Sequence, residues 1–336
     1  MNCWILTQVD CDFKERKMSS EEKQLFVIDT DAGLDDAQAI LMALAAPHVE
    51  VIGITTVCGN TNAKQVSKNV LRLLKAVNKL EIPVYTGSER TIIGWQKPDD
   101  CNYHGNDGFG DVPDDDPPDY NLIQSKHGVQ ALIDLSKQYP GKLTLVALGP
   151  LTNLSLAIRL DPTFGERLKS CFIMGGNYKG EGNITPSAEF NFYTDPEAAH
   201  IVLSDLGCPI TLVCWELCLE HSFPWTWHKE LFNLDTDTAK FLKNLEKNTI
   251  ENFYEKQNFE NYELADQLAV AAAINPKIIL KSSEVYCVVE TKGTYTTGQV
   301  VVDWKNKLKE KPNVTILTSI DKLCVKNLIL NAMKLK

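Results

Sequence analysis

The strongest constraint on this chain is a rhythm. A short apolar run is followed by a helix-length amphipathic stretch, and then by another apolar run. LFVID at 25–29 has strand length. Residues 35–46 carry Ala39, Ile40, Ala43 and Leu44 at helical spacing, and Pro47 ends them. VEVIGIT at 49–55 is a second strand, and 62–78 is a helix with Val66, Val70, Leu73, Leu74 and Val77 on one face. IPVYTG at 82–87, KLTLVAL at 142–148, SCFIMGG at 170–176 and PITLVCW at 209–215 continue the strands. Helices are expected from Leu151 and over 195–204. Strands that are apolar throughout are buried on both faces, and strands separated by helices pair in parallel. The pattern therefore predicts an α/β protein with a mainly parallel, doubly wound open sheet flanked by helices. Shorter strands over 284–317 and a helix over 319–333 close it, with Ile320, Leu323, Val325 and Leu328 as core packing.

Two segments break the rhythm. Residues 88–124 are rich in Pro, Gly and Asp and hold DDDPPD at 114–119, which reads as a solvated loop. Residues 220–262 hold aromatic-rich patches. Both are expected to be loop insertions over the carboxyl ends of the strands, where long loops serve as lids. No repeat and no linker composition divides the rest. Residues 23–336 read as one domain, and 1–22 as a flexible leader with a second plausible start at Met18.

Composition excludes several classes. At 336 residues, 44% apolar and 23% charged, the chain can bury one large core. A net charge of -10 repels phosphate backbones and anionic membranes, so neither nucleic acid nor membrane is expected as a partner. The richest apolar region, 37–57, is broken by Pro47, His48 and Glu50. The first residues do not read as a signal peptide, and none of the ten cysteines forms a CxxC pair. Free thiols in a cytoplasmic protein are expected, and the sequons at Asn153, Asn183 and Asn313 then carry no weight.

DTDAGLDDA at 29–37 places Asp29, Asp31, Asp35 and Asp36 between a strand and a helix. Ligand sites in open α/β sheets lie at such strand ends. Asp35 and Asp36 would fall in the first helical turn, where negative charge is favoured. So many like charges need a cation, or they raise one another's pKa. All-oxygen ligands suit a hard ion, Ca²⁺ or Mg²⁺. A helix cap and surface acids would account for one aspartate but not four. An EF-hand loop fails, because Leu34 and Ile40 stand where glycine and glutamate are needed. MGGN at 174–177, Asn183 and SAEFN at 187–191 form a second polar cluster, able to hold a polyhydroxylated ligand. On spacing alone an ordinary polar loop fits them equally well.

At these residues the chain resembles the nucleoside hydrolases of the inosine–uridine-preferring superfamily. The resemblance runs from about residue 25 to the C-terminal helix. It includes VCGN at 57–60, HGNDGFGD at 104–111, GPLTN at 149–153, DPEAAH at 195–200 and LADQLAV at 264–270. It implies Ca²⁺-dependent hydrolysis of the N-glycosidic bond of ribonucleosides to free base and ribose. Asp31, Asp36, Asp266 and the backbone carbonyl of Leu148 would hold the ion. Asp36 would also deprotonate the metal-bound water, with Asn60 beside it in the catalytic set. Asp35 would bind ribose hydroxyls with Asn183, Glu189 and Asn191, and Asn60 and Met174 would line the sugar. A cation-like ribose resembles the oxocarbenium of glycoside hydrolysis, and a carboxylate-rich pocket stabilises it. A homodimer or homotetramer is implied.

One departure matters. Many members place histidine, and a purine-selective branch tryptophan, before the last metal aspartate; this chain has Ala265. His104, His221, Glu263 and Tyr262 are the candidates to activate the leaving base, His104 first because it lies in a matched motif. Trp215, Trp225 and Trp227 are candidates to stack on it. Two other readings compete. A haloacid-dehalogenase-like, magnesium-dependent phosphatase would use Asp29 and Asp31 as its aspartate pair, but has Gly33 where it needs threonine. A nucleoside- or ribose-binding member with little turnover would explain Ala265 differently.

Overall fold

The computed structural model describes residues 22–94, 103–254, 256 and 259–335. The leader expected over 1–22 lies, Glu22 apart, outside them. The first half runs β1 (Gln24–Thr30), α1 (Leu34–Ala45), β2 (Val49–Thr56), α2 (Ala63–Ala76), β3 (Val84–Thr86), β4 (Ile123–Gln124), α3 (Gly128–Gln138), β5 (Leu143–Ala147), α4 (Thr152–Leu160) and β6 (Leu168–Met174). Next come α5 (Phe190–Thr194), α6 (Pro196–Asp205), β7 (Ile210–Val213), α7 (Trp215–Glu220), β8 (Phe223–Pro224), α8 (Trp225–Phe232), α9 (Asp237–Thr249) and β9 (Asn261–Tyr262). The chain closes with α10 (Asp266–Ile274), β10 (Ile279–Val285), β11 (Cys287–Val289), β12 (Val300–Val302), β13 (Val314–Ile320) and α11 (Lys322–Ala332).

One nine-stranded sheet has the order β10-β13-β7-β6-β5-β1-β2-β3-β4. Every pairing in it is parallel except β10 with β13 at one edge. The expected fold class is thus borne out. From β1 the chain winds outward through β2, β3 and β4, then returns to β1's other side with β5. The strand order reverses between β1 and β5, and a crevice opens at such a point beyond the carboxyl ends of the strands.

Side-chain alternation along β1 explains the two layers. Phe26 and Ile28 enter a core shared with α1, α2, α10 and α11, while Val27 enters a core shared with α3, α4 and α6. All nine residues of α10 are buried, and five of the nine are alanine or valine, so it packs closely on α1. A helix buried all round carries no amphipathic stripe, which is why periodicity does not mark it.

Residues 220–262 are not a plain loop, as expected, but a small folded unit. It contains α8, α9 and a π-helical turn at Ile250–Tyr254. Its neck is closed by the antiparallel pairs Phe223–Tyr262 and Pro224–Asn261. A structureless segment that long leaves too many backbone groups unpaired. Cys58, Cys171, Cys208, Cys214, Cys218 and Cys287 are free thiols, whereas Cys324 is disulfide-bonded and departs from the expectation. Among the described residues no helix is long and apolar enough to cross a membrane.

Candidate active site

The site begins where β1 ends. Asp29 is fully buried and faces no cavity; its Oδ1 accepts from Thr55 Oγ1 at 2.5 Å and Asn153 Nδ2 at 2.7 Å. It braces β1 to β2 and α4. The chain then turns through Ala32, at φ 37°, a left-handed conformation that costs energy for a residue with a Cβ. That turn is held locally. The Thr30 hydroxyl accepts from Ala32 N at 3.0 Å and donates to Asp36 Oδ1, and Gly33 N donates to Asp36 Oδ2 at 2.7 Å. Asp36 therefore folds back over the first turn of α1. Asp31 Oδ2 accepts from Asn60 N at 2.8 Å. A Cβ on the neighbouring Gly59 would lie 2.1 Å from that oxygen, so VCGN requires its glycine.

Asp266, at the start of α10, arrives beside this turn. Oxygens of Asp35, Asp36 and Asp266 lie within 4.8 Å of one another. Burial, then the charge of Asp35, pushes Asp36 up to about 7. Asp31 is raised well above the carboxylate range by burial and then by Asp36 and Asp35. Asp266 is raised likewise, by burial and then by Asp35, Asp36 and Asp31, and it shares a hydrogen bond with Asp36. Three buried carboxyls cannot all ionise without a compensating cation. An all-oxygen donor set of this kind fits a hard divalent ion. The expected ligands Asp36 and Asp266 belong to the trio; Asp35 completes it, with Asp31 beside it. The Leu148 carbonyl accepts from Asn191 Nδ2 at 2.8 Å.

These groups face a cavity of about 620 Å³. Asp31, Asp35, Asp36, Asn60, His104, Leu148, Met174, Asn183, Glu189, Asn191 and Asp266 all line it, so the expected metal, sugar and catalytic residues are brought together. The second polar cluster forms one wall. Glu189 caps α5, accepting from Asn191 N at 2.8 Å and Phe192 N at 3.1 Å, and also from Gly176 N at 2.8 Å. Burial pushes it up to about 7. Asn183 Oδ1 accepts from Phe190 N at 2.8 Å. Asn191 Nδ2 also reaches the Met174 carbonyl at 3.3 Å. Most of this wall's polar atoms are tied to backbone.

The other end of the cavity is aromatic. Tyr103, Trp215, Phe253, Tyr254, Phe259 and Tyr262 line it. The Tyr103 and Tyr254 hydroxyls are hydrogen-bonded, although 151 residues separate them. Behind Tyr262 lies a buried network. Gln38 Nε2 donates to Glu246 Oε1 at 2.5 Å and to the Tyr262 hydroxyl at 2.7 Å. Tyr262 donates to Glu246 Oε1 at 3.2 Å, and His228 Nε2 to Glu246 Oε2 at 3.0 Å. Gln267 Nε2 donates to Gln38 Oε1 at 3.1 Å, tying α10 to α1 next to Asp266 and Asp36.

A family model for inosine-uridine preferring nucleoside hydrolases matches residues 26–327. The chain belongs to this family. It is a nucleoside hydrolase, an enzyme acting on N-glycosyl compounds. A probable uridine nucleosidase 2 of Arabidopsis thaliana is 32% identical over 329 residues, 94% of this chain and 99% of that one. An inosine-uridine preferring nucleoside hydrolase of Leishmania major is 32% identical over 88% of this chain and 92% of its own. A solved inosine-guanosine nucleoside hydrolase matches with a TM-score of 0.86 at 30% identity, over 93% of this chain and 98% of that one. The phosphatase reading is set aside, since Asp29, half of its aspartate pair, is a buried brace.

The structure also sorts the leaving-group candidates of this nucleoside hydrolase. His221 is outside the cavity, with Nδ1 3.0 Å from the Leu217 carbonyl and Nε2 accepting from Ile320 N at 3.2 Å. Trp227 packs on Phe223 at 4.3 Å, and Trp225 stands edge-on behind Tyr254 at 4.4 Å; neither lines the cavity. Trp215 does. His104 Nδ1 accepts from Leu34 N at 3.0 Å and lies 3.7 Å from Asp35 Oδ1, which puts the ring at the carboxylate end. The residues that sequence reasoning missed are Tyr103, Phe253, Tyr254, Phe259 and Glu246. The aromatic patches of 220–262 were the available signal, but helix packing decides which rings face inward.

Proposed function

We propose that this chain cleaves the N-glycosidic bond of ribonucleosides in a Ca²⁺-dependent reaction, releasing free base and ribose. The observation that carries this reading is the convergence of the Asp35, Asp36 and Asp266 oxygens, within 4.8 Å, on the wall of the 620 Å³ cavity. Asp31, Asp36, Asp266 and the Leu148 carbonyl would hold the ion. When bound, a divalent cation supplies compensating charge and makes a nearby water easier to deprotonate. Asp36 takes the proton of the attacking water on a carboxylate oxygen. Asp35, with Asn183, Glu189 and Asn191, grips the ribose hydroxyls, while Asn60 and Met174 fix its position. The carboxylates face the cationic ribose as the bond breaks and stabilise its charge. The aromatic end receives the base. A homodimer or homotetramer in the cytoplasm completes the reading, and sedimentation velocity of the purified protein checks the assembly.

The test follows base release by chromatography from inosine, adenosine, guanosine, uridine and cytidine, with Ca²⁺ or with a chelator. Release that the chelator stops is the expected result. Release that ignores the chelator would remove the metal from the reaction. Tight nucleoside binding with no release would make this a binding member of the family.

A further inference from the structure

When an N-glycosidic bond breaks, its electron pair stays on the base nitrogen. Unless a proton arrives, the base must leave as an anion. The residue before Asp266 offers none, since it is Ala265, whose N–H is held by Gln267 Oε1 at 3.0 Å. Resting on the hydrolase reading above, we infer that Glu263 is the general acid that protonates the departing base.

Glu263 stands on the cavity wall, between Tyr262 and the segment that leads into α10. Its carboxyl makes no hydrogen bond to any described residue. Trp215, Tyr254 and Tyr262 line the same cavity as Glu263. Glu263 thus shares the cavity wall with the rings expected to hold the base. Only Leu264 and Ala265 separate it from Asp266, so one segment carries both the acid and a member of the carboxylate cluster.

Several other proton donors of the cavity are committed elsewhere. The Tyr262 hydroxyl donates to Glu246, and Glu246 accepts from Gln38, Tyr262 and His228 on its two oxygens. His104 Nδ1 accepts from Leu34 N beside Asp35, and its ring stands edge-on to Tyr103 at 4.8 Å. Glu181 is exposed at the rim. Burial, with no hydrogen bond to oppose it, also raises the Glu263 carboxyl above its ordinary value, which favours the protonated form an acid needs.

The step balances simply. The C1′–N bond breaks and its pair goes to the base. The Glu263 proton passes to a base nitrogen, water adds to C1′, and the water's proton goes to Asp36. Glu263 is then reprotonated from solvent, and Asp36 releases its proton to solvent, which restores the enzyme.

The leaving group tests this. Glu263→Gln and Glu263→Ala would each be assayed on the better of inosine and uridine, and on p-nitrophenyl β-D-ribofuranoside, whose phenolate departs without a proton. The expected result is a kcat lower by roughly 10²-fold or more on the nucleoside, with the nitrophenyl riboside within about threefold of wild type. Loss of both activities together, or of neither, in folded protein would overturn the assignment. A wild-type enzyme that cleaves neither compound would overturn the hydrolase reading itself.

Discussion

The two ends of the cavity are built on different principles. At the carboxylate end, each acid sits on a strand end or helix start, and backbone donors fix two of them: Asn60 N on Asp31, and Gly33 N on Asp36. At the aromatic end, the wall comes from Tyr103 near one insertion and from the folded unit that carries Phe253, Tyr254 and Tyr262. Its rings hold one another edge-on, as Tyr103 does with Phe253 at 5.2 Å. On the proposed reading, the sheet fixes the groups that grip the ribose, while the folded unit shapes the space for the base. That reading assigns the chemistry common to all nucleosides to the first end, and discrimination among them to the second.

The largest effect that would separate the ends is that of Asp36→Asn. Turnover on every nucleoside is expected to fall by roughly 10³-fold. The fold should survive, because burial already disfavours the charged form of Asp36, and an amide oxygen still accepts from Gly33 N. Base release beside circular dichroism checks this; near-normal turnover rules the mechanism out. Trp215→Ala is expected to raise KM on the order of 10-fold, since stacking on one ring contributes about 1–3 kcal/mol. The ranking of inosine against uridine should shift while kcat changes less, and an unchanged ranking would erase the distinction between the ends. His104→Ala is expected to lower kcat/KM on the order of 10-fold, the loss of one substrate contact. Unchanged efficiency on every accepted nucleoside would remove His104 from substrate handling. The smallest effect on activity is that of Glu246→Ala. It leaves Gln38, Tyr262 and His228 without their shared acceptor, and a loss of about 1–3 kcal/mol in urea denaturation is expected. No loss of stability would mean that the network does not bind the folded unit to α1 and α10.

Particular residues show how much of this was legible. Asp31, Asp35 and Asp36 lie in one short stretch, so strand-then-helix periodicity alone placed them at a strand end. Asp266 was reachable only through the family motif, because a helix buried on every side shows no periodic face. Trp225 and Trp227 were read as base-stacking candidates, yet their rings turn into the packing behind the wall. Composition marked 220–262 as aromatic but could not say which rings turn inward. The pairing of Tyr103 with Tyr254, and of Gln38 with Glu246 across 208 residues, follows from no local pattern.

The sequence by itself determined the layered parallel sheet and the acidic turn, because hydrophobic periodicity and the spacing of charges are local properties of a chain. Only the tertiary structure decided that Asp35 joins Asp36 and Asp266, and that Glu263 faces the cavity while His221 does not. Those outcomes depend on how helices far apart in sequence pack, and on which polar groups find backbone partners there.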